Sequence, residues 1–233
     1  MSSLVECRNV TKCYVNGRPA VYNLNLTLEK GHIIGLLGPN GSGKTTLIKM
    51  MNGLLKPTNG EVLINGILPG PETKARISYL PERTYLEAQR TVKDIVEFFG
   101  DFYEDFRKDR AYAMLEALHI ESGARLKNLS KGTKEKVQLI LVMSRDAELY
   151  ILDEPIAGVD PAARDYILRT IIANFNPAAT LLICTHLISD IESILDEVVF
   201  IRDGQITLKT TVENIREQQG KSVDQYFREV FAC

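Results

Sequence analysis

The order of apolar runs predicts an α/β fold with a mainly parallel sheet covered on both faces. Two observations carry that expectation. From residue 32 onward, short strand-like apolar runs alternate with stretches of helical period, and a glycine-rich loop stands between one such strand and a helix. With 233 residues, 45% of them hydrophobic and 25% charged, the chain has ample material for one large core.

The elements follow in order. Leu4 to Cys7, and then Val21, Leu24, Leu26 and Leu28, place apolar side chains mainly on one sheet face. Turn signals at Asn16-Gly17 and Lys30-Gly31 bound them. His32 to Leu37 reads as a buried strand, Lys44 to Met51 as a helix, and Glu61 to Ile64 and Ile77 to Leu80 as further strands. From Thr91 to Leu118 the period is helical (Val92, Ile95, Val96, Phe99, then Ala111, Met114, Leu115, Leu118), so this stretch is expected to be a helical insertion in the sheet. Phe98 and Phe99 read equally well as helix core or as exposed contacts. A helix over 131–144 precedes a strand, Leu149 to Leu152. A helix over 161–173, a strand over 180–185, a helix near 188–195 and a strand over 198–201 follow. Two short helical pieces, 212–218 and 223–231, come last.

Composition excludes several classes. The formal charge is −2 and the basic residues are scattered, so no nucleic-acid surface is expected. The four cysteines (Cys7, Cys13, Cys184, Cys233) show neither paired nor metal-ligand spacing, as in a reduced cytosolic protein. His32 and His119 read as structural. The first residues lack a signal-peptide pattern, and no apolar run approaches the ~18–20 residues that span a bilayer. A soluble, cytoplasmic chain is expected, meeting the membrane only through a partner.

Gly38-Pro39-Asn40-Gly41-Ser42-Gly43-Lys44-Thr45, followed by Thr46, matches the phosphate-loop pattern G-x-x-x-x-G-K-[ST]. Glycines let backbone N–H groups approach phosphate oxygens, and the helix behind presents its positive end to them. Lys44 would carry charge to the β- and γ-phosphates, and the Thr45 hydroxyl could ligate Mg²⁺. Downstream, the apolar run Leu149 to Leu152 ends in Asp153 and Glu154. Asp153 would support Mg²⁺ through water, and Glu154 would act as general base toward the attacking water. Between these motifs, Ser130 can cap a helix and Gly132 leaves its first turn open, making a second positive helix end.

With Leu129-Ser130-Lys131-Gly132-Thr133 beside the phosphate loop, the chain resembles the ATP-binding cassette (ABC) ATPases, whose signature runs LSGGQ. The resemblance covers essentially all of the chain. It implies a P-loop NTPase core with a mainly parallel sheet, an N-terminal antiparallel β-subdomain and a helical signature subdomain. The whole of 1–233 would be one nucleotide-binding domain, with 83–145 as the inserted helical part. It further implies ATP and Mg²⁺ as cofactors, a homodimer or heterodimer of ATPase subunits, and a separate integral membrane permease. Ser130, Lys131, Gly132 and Thr133 would grip ATP held by the other subunit. Tyr14 would stack on adenine, a contact typically worth ~1–3 kcal/mol per base; a strand-end core tyrosine is its plainer reading. Asp160, in Ala157-Gly158-Val159-Asp160, would cross the dimer interface, and His186, after the strand ending at Thr185, would contact the γ-phosphate.

Three positions depart from the family pattern: Lys131 (for Gly), Thr133 (for Gln) and Glu82 (for Gln). Glu82 can still offer an oxygen to Mg²⁺ but adds negative charge near the γ-phosphate. The pattern looks most like subunits of bacterial ABC-2-type exporters. A soluble assembly ATPase, or a cassette that binds without hydrolysing, are the competing classes. Lys44, Asp153, Glu154 and His186 together argue against the second.

Overall fold

The computed structural model describes all of the chain except residues 1–2, 16, 158, 160 and 232–233, and it leaves aside the side chains of 161–163. In chain order the elements are β1 (Ser3–Lys12), β2 (Val21–Glu29), β3 (Ile33–Leu37), α1 (Lys44–Met51), β4 (Asn59–Ile64), α2 (Pro71–Arg76) and β5 (Ile77–Leu80). Then come α3 (Val92–Phe102), α4 (Lys108–Ala117), α5 (Lys131–Met143), β6 (Leu149–Asp153), α6 (Pro161–Asn174), β7 (Thr180–Cys184), α7 (Ile188–Ile191), β8 (Glu197–Arg202), β9 (Gln205–Thr211), α8 (Val212–Gln219) and α9 (Val223–Val230).

Two sheets form. β2-β1-β4 is antiparallel, and β5-β6-β7-β3-β8-β9 is parallel except for the β8–β9 hairpin at its edge. Alternation along the parallel strands sorts side chains between two cores. Ile34, Leu36, Leu149, Ile151, Leu182, Val199 and Ile201 pack with α1 and the antiparallel sheet. Leu37, Tyr150, Leu152, Leu181, Ile183, Val198 and Phe200 face the helices on the other side. The strands are therefore apolar throughout, as two-sided burial requires. One face is covered by a sheet and a single helix, the other by helices.

The uneven spacing of β2, Val21 then Leu24, marks a real irregularity. Its register with β1 shifts there, and Asn23 sits at φ 43. The extra residue returns Leu24, Leu26 and Leu28 to the buried face. Segment α3–α5 lies between β5 and β6, which are parallel neighbours in register from Ile77↔Leu149 to Leu80↔Leu152. Thr91 starts α3 with a reciprocal cap: its Oγ1 accepts from Asp94 N at 3.1 Å, and its own N donates to Asp94 Oδ2 at 3.0 Å.

Two elements escaped the sequence reading. α2 is six residues long with Thr73 as its buried member, too short for a helical period to show. β9 is an edge strand whose side chains are all exposed or half-buried, so its QITLKTT sequence carries little apolar signal. β1 also runs to Lys12, beyond Cys7, through two register shifts that break simple alternation.

Candidate active site

β3 delivers the chain at Leu37 into a loop that turns into α1. Steric contacts fix two of its glycines. A Cβ on Gly38 would lie 2.2 Å from the Ile201 carbonyl oxygen, and one on Gly43, at φ 107, would lie 2.4 Å from that of Ala20. The Lys44 ammonium folds back across the loop and donates to the carbonyls of Gly38 (2.7 Å) and Pro39 (3.0 Å), with the residue only 8% exposed. Its charge is thus held inside the curl, at the N-terminal end of α1.

Opposite the loop, β6 ends in a carboxylate pair. Asn40, Ser42, Lys44, Thr45 and Thr46 face Glu82, Asp153 and Glu154 across one cleft of about 330 Å³, closed by Ala20 and Cys184. Pro39 takes part through its carbonyl. Tyr14 stands beside it, half exposed, with its hydroxyl 3.3 Å from Thr46 Oγ1. The Lys12 ammonium lies over its ring, 5.9 Å from the ring centre.

Glu154 adopts φ 54, the left-handed region that costs a non-glycine residue about 1–3 kcal/mol. Its backbone N–H is held by the Cys184 carbonyl at 2.7 Å. This kink turns the side chain out of strand alternation toward β7. There Oε2 accepts from the Thr185 hydroxyl at 2.9 Å, and His186 Nδ1 lies 3.0 Å from Oε1. Thr185 fixes the carboxylate directly, a role its sequence position beside His186 did not reveal.

Asp153 is 2% exposed, and its Oδ2 has no hydrogen-bond partner. Burial above all, then the like charges of Glu154 and Glu82, holds its pKa above the usual carboxylate range; the Cys184 thiol and Lys44 pull the other way. Burial likewise pushes the Cys184 thiol up. A buried, charged oxygen without a partner is what a hard dication, or water bound to one, would satisfy. Among the described residues no group of three or more His, Cys, Asp and Glu side chains could hold a metal by itself. The donor set suits Mg²⁺, which keeps water and takes phosphate oxygens alongside a hydroxyl and one or two carboxylates; Thr45, Asp153 and Glu82 are the protein groups available.

The remaining sequence candidates lie elsewhere. Ser130 caps α5, its Oγ accepting from Thr133 N at 3.1 Å, with the two hydroxyls 2.8 Å apart. Gly132 is open, since a Cβ there would meet nothing within 4 Å. Ser130, Gly132 and Thr133 do not line the cleft. Lys131 reaches a smaller neighbouring chamber. Asp160 lies outside the described residues.

Comparisons with known proteins identify the family. The family model described as "ABC transporter" matches residues 21–157. The SkfA peptide export ATP-binding protein SkfE of Bacillus subtilis is 34% identical over 221 residues, covering 92% of this chain and 92% of that protein. A solved ATP-binding subunit of an ABC transporter superposes with a TM-score of 0.86 at 28% identity, covering 97% of this chain and 99% of that one. The dimeric cassette MJ0796, in a post-hydrolysis state bound to ADP and Pi, shares the fold with a TM-score of 0.78 at 23% identity, covering 89% and 98%. This chain belongs to the ABC transporter family, as one of its ATP-binding and ATP-hydrolysing cassettes.

Proposed function

We propose that this cassette drives export through a separate integral membrane subunit, working as a dimer that closes on ATP. The observation that carries the catalytic part is the meeting of Lys44, Asp153 and Glu154 around one cleft, with a partnerless buried oxygen on Asp153. In this reading the backbone of Gly38 to Gly43 and the positive end of α1 bind the phosphates, and Lys44 turns from its loop carbonyls to the β- and γ-phosphates. Thr45, Asp153 and Glu82 hold Mg²⁺, which when bound neutralises charge building up on the phosphates. Glu154, braced by Thr185, takes the proton of the attacking water. His186 contacts the γ-phosphate side, and Tyr14 offers its exposed ring to adenine. Ser130, Lys131, Gly132 and Thr133 serve the other subunit's nucleotide, and Asp160 crosses between subunits.

Residues 83–145 act as an inserted helical unit, tied to the sheet through β5 and β6. Support for a membrane partner comes from an apolar groove of about 540 Å³ where this unit meets the core, walled by Tyr85, Phe98, Phe102, Tyr103 and Leu54. Phe98 and Phe102 are 52% and 65% exposed and stacked 6.0 Å apart, whereas Phe99 is core. No helix among the described residues is long and apolar enough to cross a membrane. In this reading the cassette works at the cytoplasmic face, with the groove receiving a cytoplasmic segment of the permease. Export is favoured by the likeness to SkfE, a peptide export protein by name. The test is cysteine cross-linking from position 85 in membranes that contain the partner. Adducts with cytoplasmic segments of a polytopic protein are expected; adducts formed only from the opposite end of the cassette would refute the docking surface.

A further inference from the structure

A smaller chamber of about 150 Å³ shares Glu82, Asp153 and Glu154 with the cleft but takes its other wall from α5. That wall is Lys131, Glu135 and Gln138, the last two three residues apart and so on one helix face. Gln138 is out of pattern. It is the polar member of the run Val137 to Met143, otherwise wholly apolar, and it is 2% exposed. Its Nε2 has no hydrogen-bond partner within the protein, nor does Glu135 Oε2, nor Asp153 Oδ2. The Asp153 oxygen is already accounted for by the proposed metal; the other two, a turn apart on α5 and beside one small polar space, call for a common explanation, since such groups in folded proteins are met by protein or by ordered water. The space is large enough to hold more than one water.

We infer that Gln138, with Glu135, is a positioning residue for hydrolysis: the pair anchors a small cluster of ordered water that braces the Glu82 and Glu154 carboxylates from α5 of the same subunit. A neutral amide can donate to water that in turn donates to a carboxylate, so it steadies acidic side chains without adding charge to a space already lined by four of them. The inference rests on the reading of Glu154 as the base. It also gives α5 a link to its own subunit's carboxylates, in addition to the surface that its N-terminal end presents outward.

Two substitutions separate bracing from packing. Gln138→Met keeps the volume but removes the amide; Gln138→Asn keeps the amide and leaves a gap that one more water can fill. Steady-state ATPase assays of the purified chain with Mg²⁺ should show kcat about tenfold lower for Gln138→Met with the ATP KM within twofold, and Gln138→Asn retaining at least half of wild-type kcat. A packing role predicts the reverse order, because Asn loses more buried contact than Met. It also predicts a raised Tm for Gln138→Met, as an unsatisfied amide would have been removed. A crystal structure at about 1.5 Å should place ordered water within hydrogen-bonding distance of Gln138 Nε2. A dry chamber, or full kcat in Gln138→Met, overturns the inference. Glu154→Gln, assayed alongside, keeps the two failures apart: normal turnover there removes the base reading, whereas a dead Glu154→Gln beside a fully active Gln138→Met removes only the role of Gln138.

Discussion

Two helices of this chain begin at glycine-containing turns, and their surroundings are opposite. The start of α1 has no capping side chain; Gly43 takes the left-handed conformation, Lys44 is buried, and three carboxylates stand across the cleft. The start of α5 is capped by Ser130, has open space over Gly132, and carries a Lys131 side chain that is 85% exposed. Each end is a positive pole suited to an anion. Around the first, the chain has gathered everything else that phosphate chemistry needs. Around the second, among the described residues, only Lys131 reaches toward those carboxylates, at the neighbouring chamber, and Ser130, Gly132 and Thr133 stand apart from the cleft. On the proposed reading, one chain holds a site and, separately, a complement to such a site, which a second copy or a sister subunit would bring together.

The comparison breaks most visibly at Glu154. Gln keeps the size and the bond from Thr185 but cannot act as a base, so turnover of Glu154→Gln should fall ~10²–10⁴-fold while ATP still binds. Single-turnover hydrolysis measures this, and wild-type rates would move the base to another group. Next in size is Lys44→Ala. Removing a charged donor from the loop should weaken ATP binding about 10–100-fold, as expected for hydrogen bonds to charged groups. Calorimetric titration of the folded variant reads it, and unchanged affinity would unseat the phosphate loop as the nucleotide site.

A smaller effect sharpens the metal side. Because burial raises the Asp153 pKa in the folded chain, its charge costs stability at neutral pH, and that cost is relieved as pH falls through the folded-state value. Asp153→Asn should therefore raise the Tm of the nucleotide-free protein at pH 7, by ~2–4 °C for each kcal/mol of cost relieved, and abolish the extra stabilisation that Mg²⁺ gives with ATP. A lower Tm would mean that the carboxylate supports the fold rather than a ligand.

Much of this was legible in the sequence because the phosphate loop constrains backbone and side chains together. Its glycines, lysine and hydroxyls fall at fixed spacing, and the strand before it and helix after it have plain periodicity. Asp153 and Glu154 could be found because a wholly apolar strand ends on them. Thr185 and Gln138 could not. Their importance depends on which loop ends the sheet brings together, and pairing of β6 with β7 and of β5 with β6 is long-range. Gln138 left one trace, an amide inside an apolar helical run, which reads as a surface position until the burial of that whole turn is known. β9 was illegible for a related reason: an edge strand needs few apolar residues, and this one has two, Ile206 and Leu208.

The central claim, that the start of α5 completes a site on another subunit, is tested most directly by size-exclusion chromatography with ATP and Mg²⁺. Glu154→Gln alone should elute as a dimer, because ATP is held but hydrolysed slowly. Adding Ser130→Arg should return the protein to a monomer that still binds ATP, since only the outward-facing helix end is blocked. An equally dimeric double variant, or Glu154→Gln that stays monomeric with bound ATP, would contradict a self-pairing sandwich built from these two helix ends.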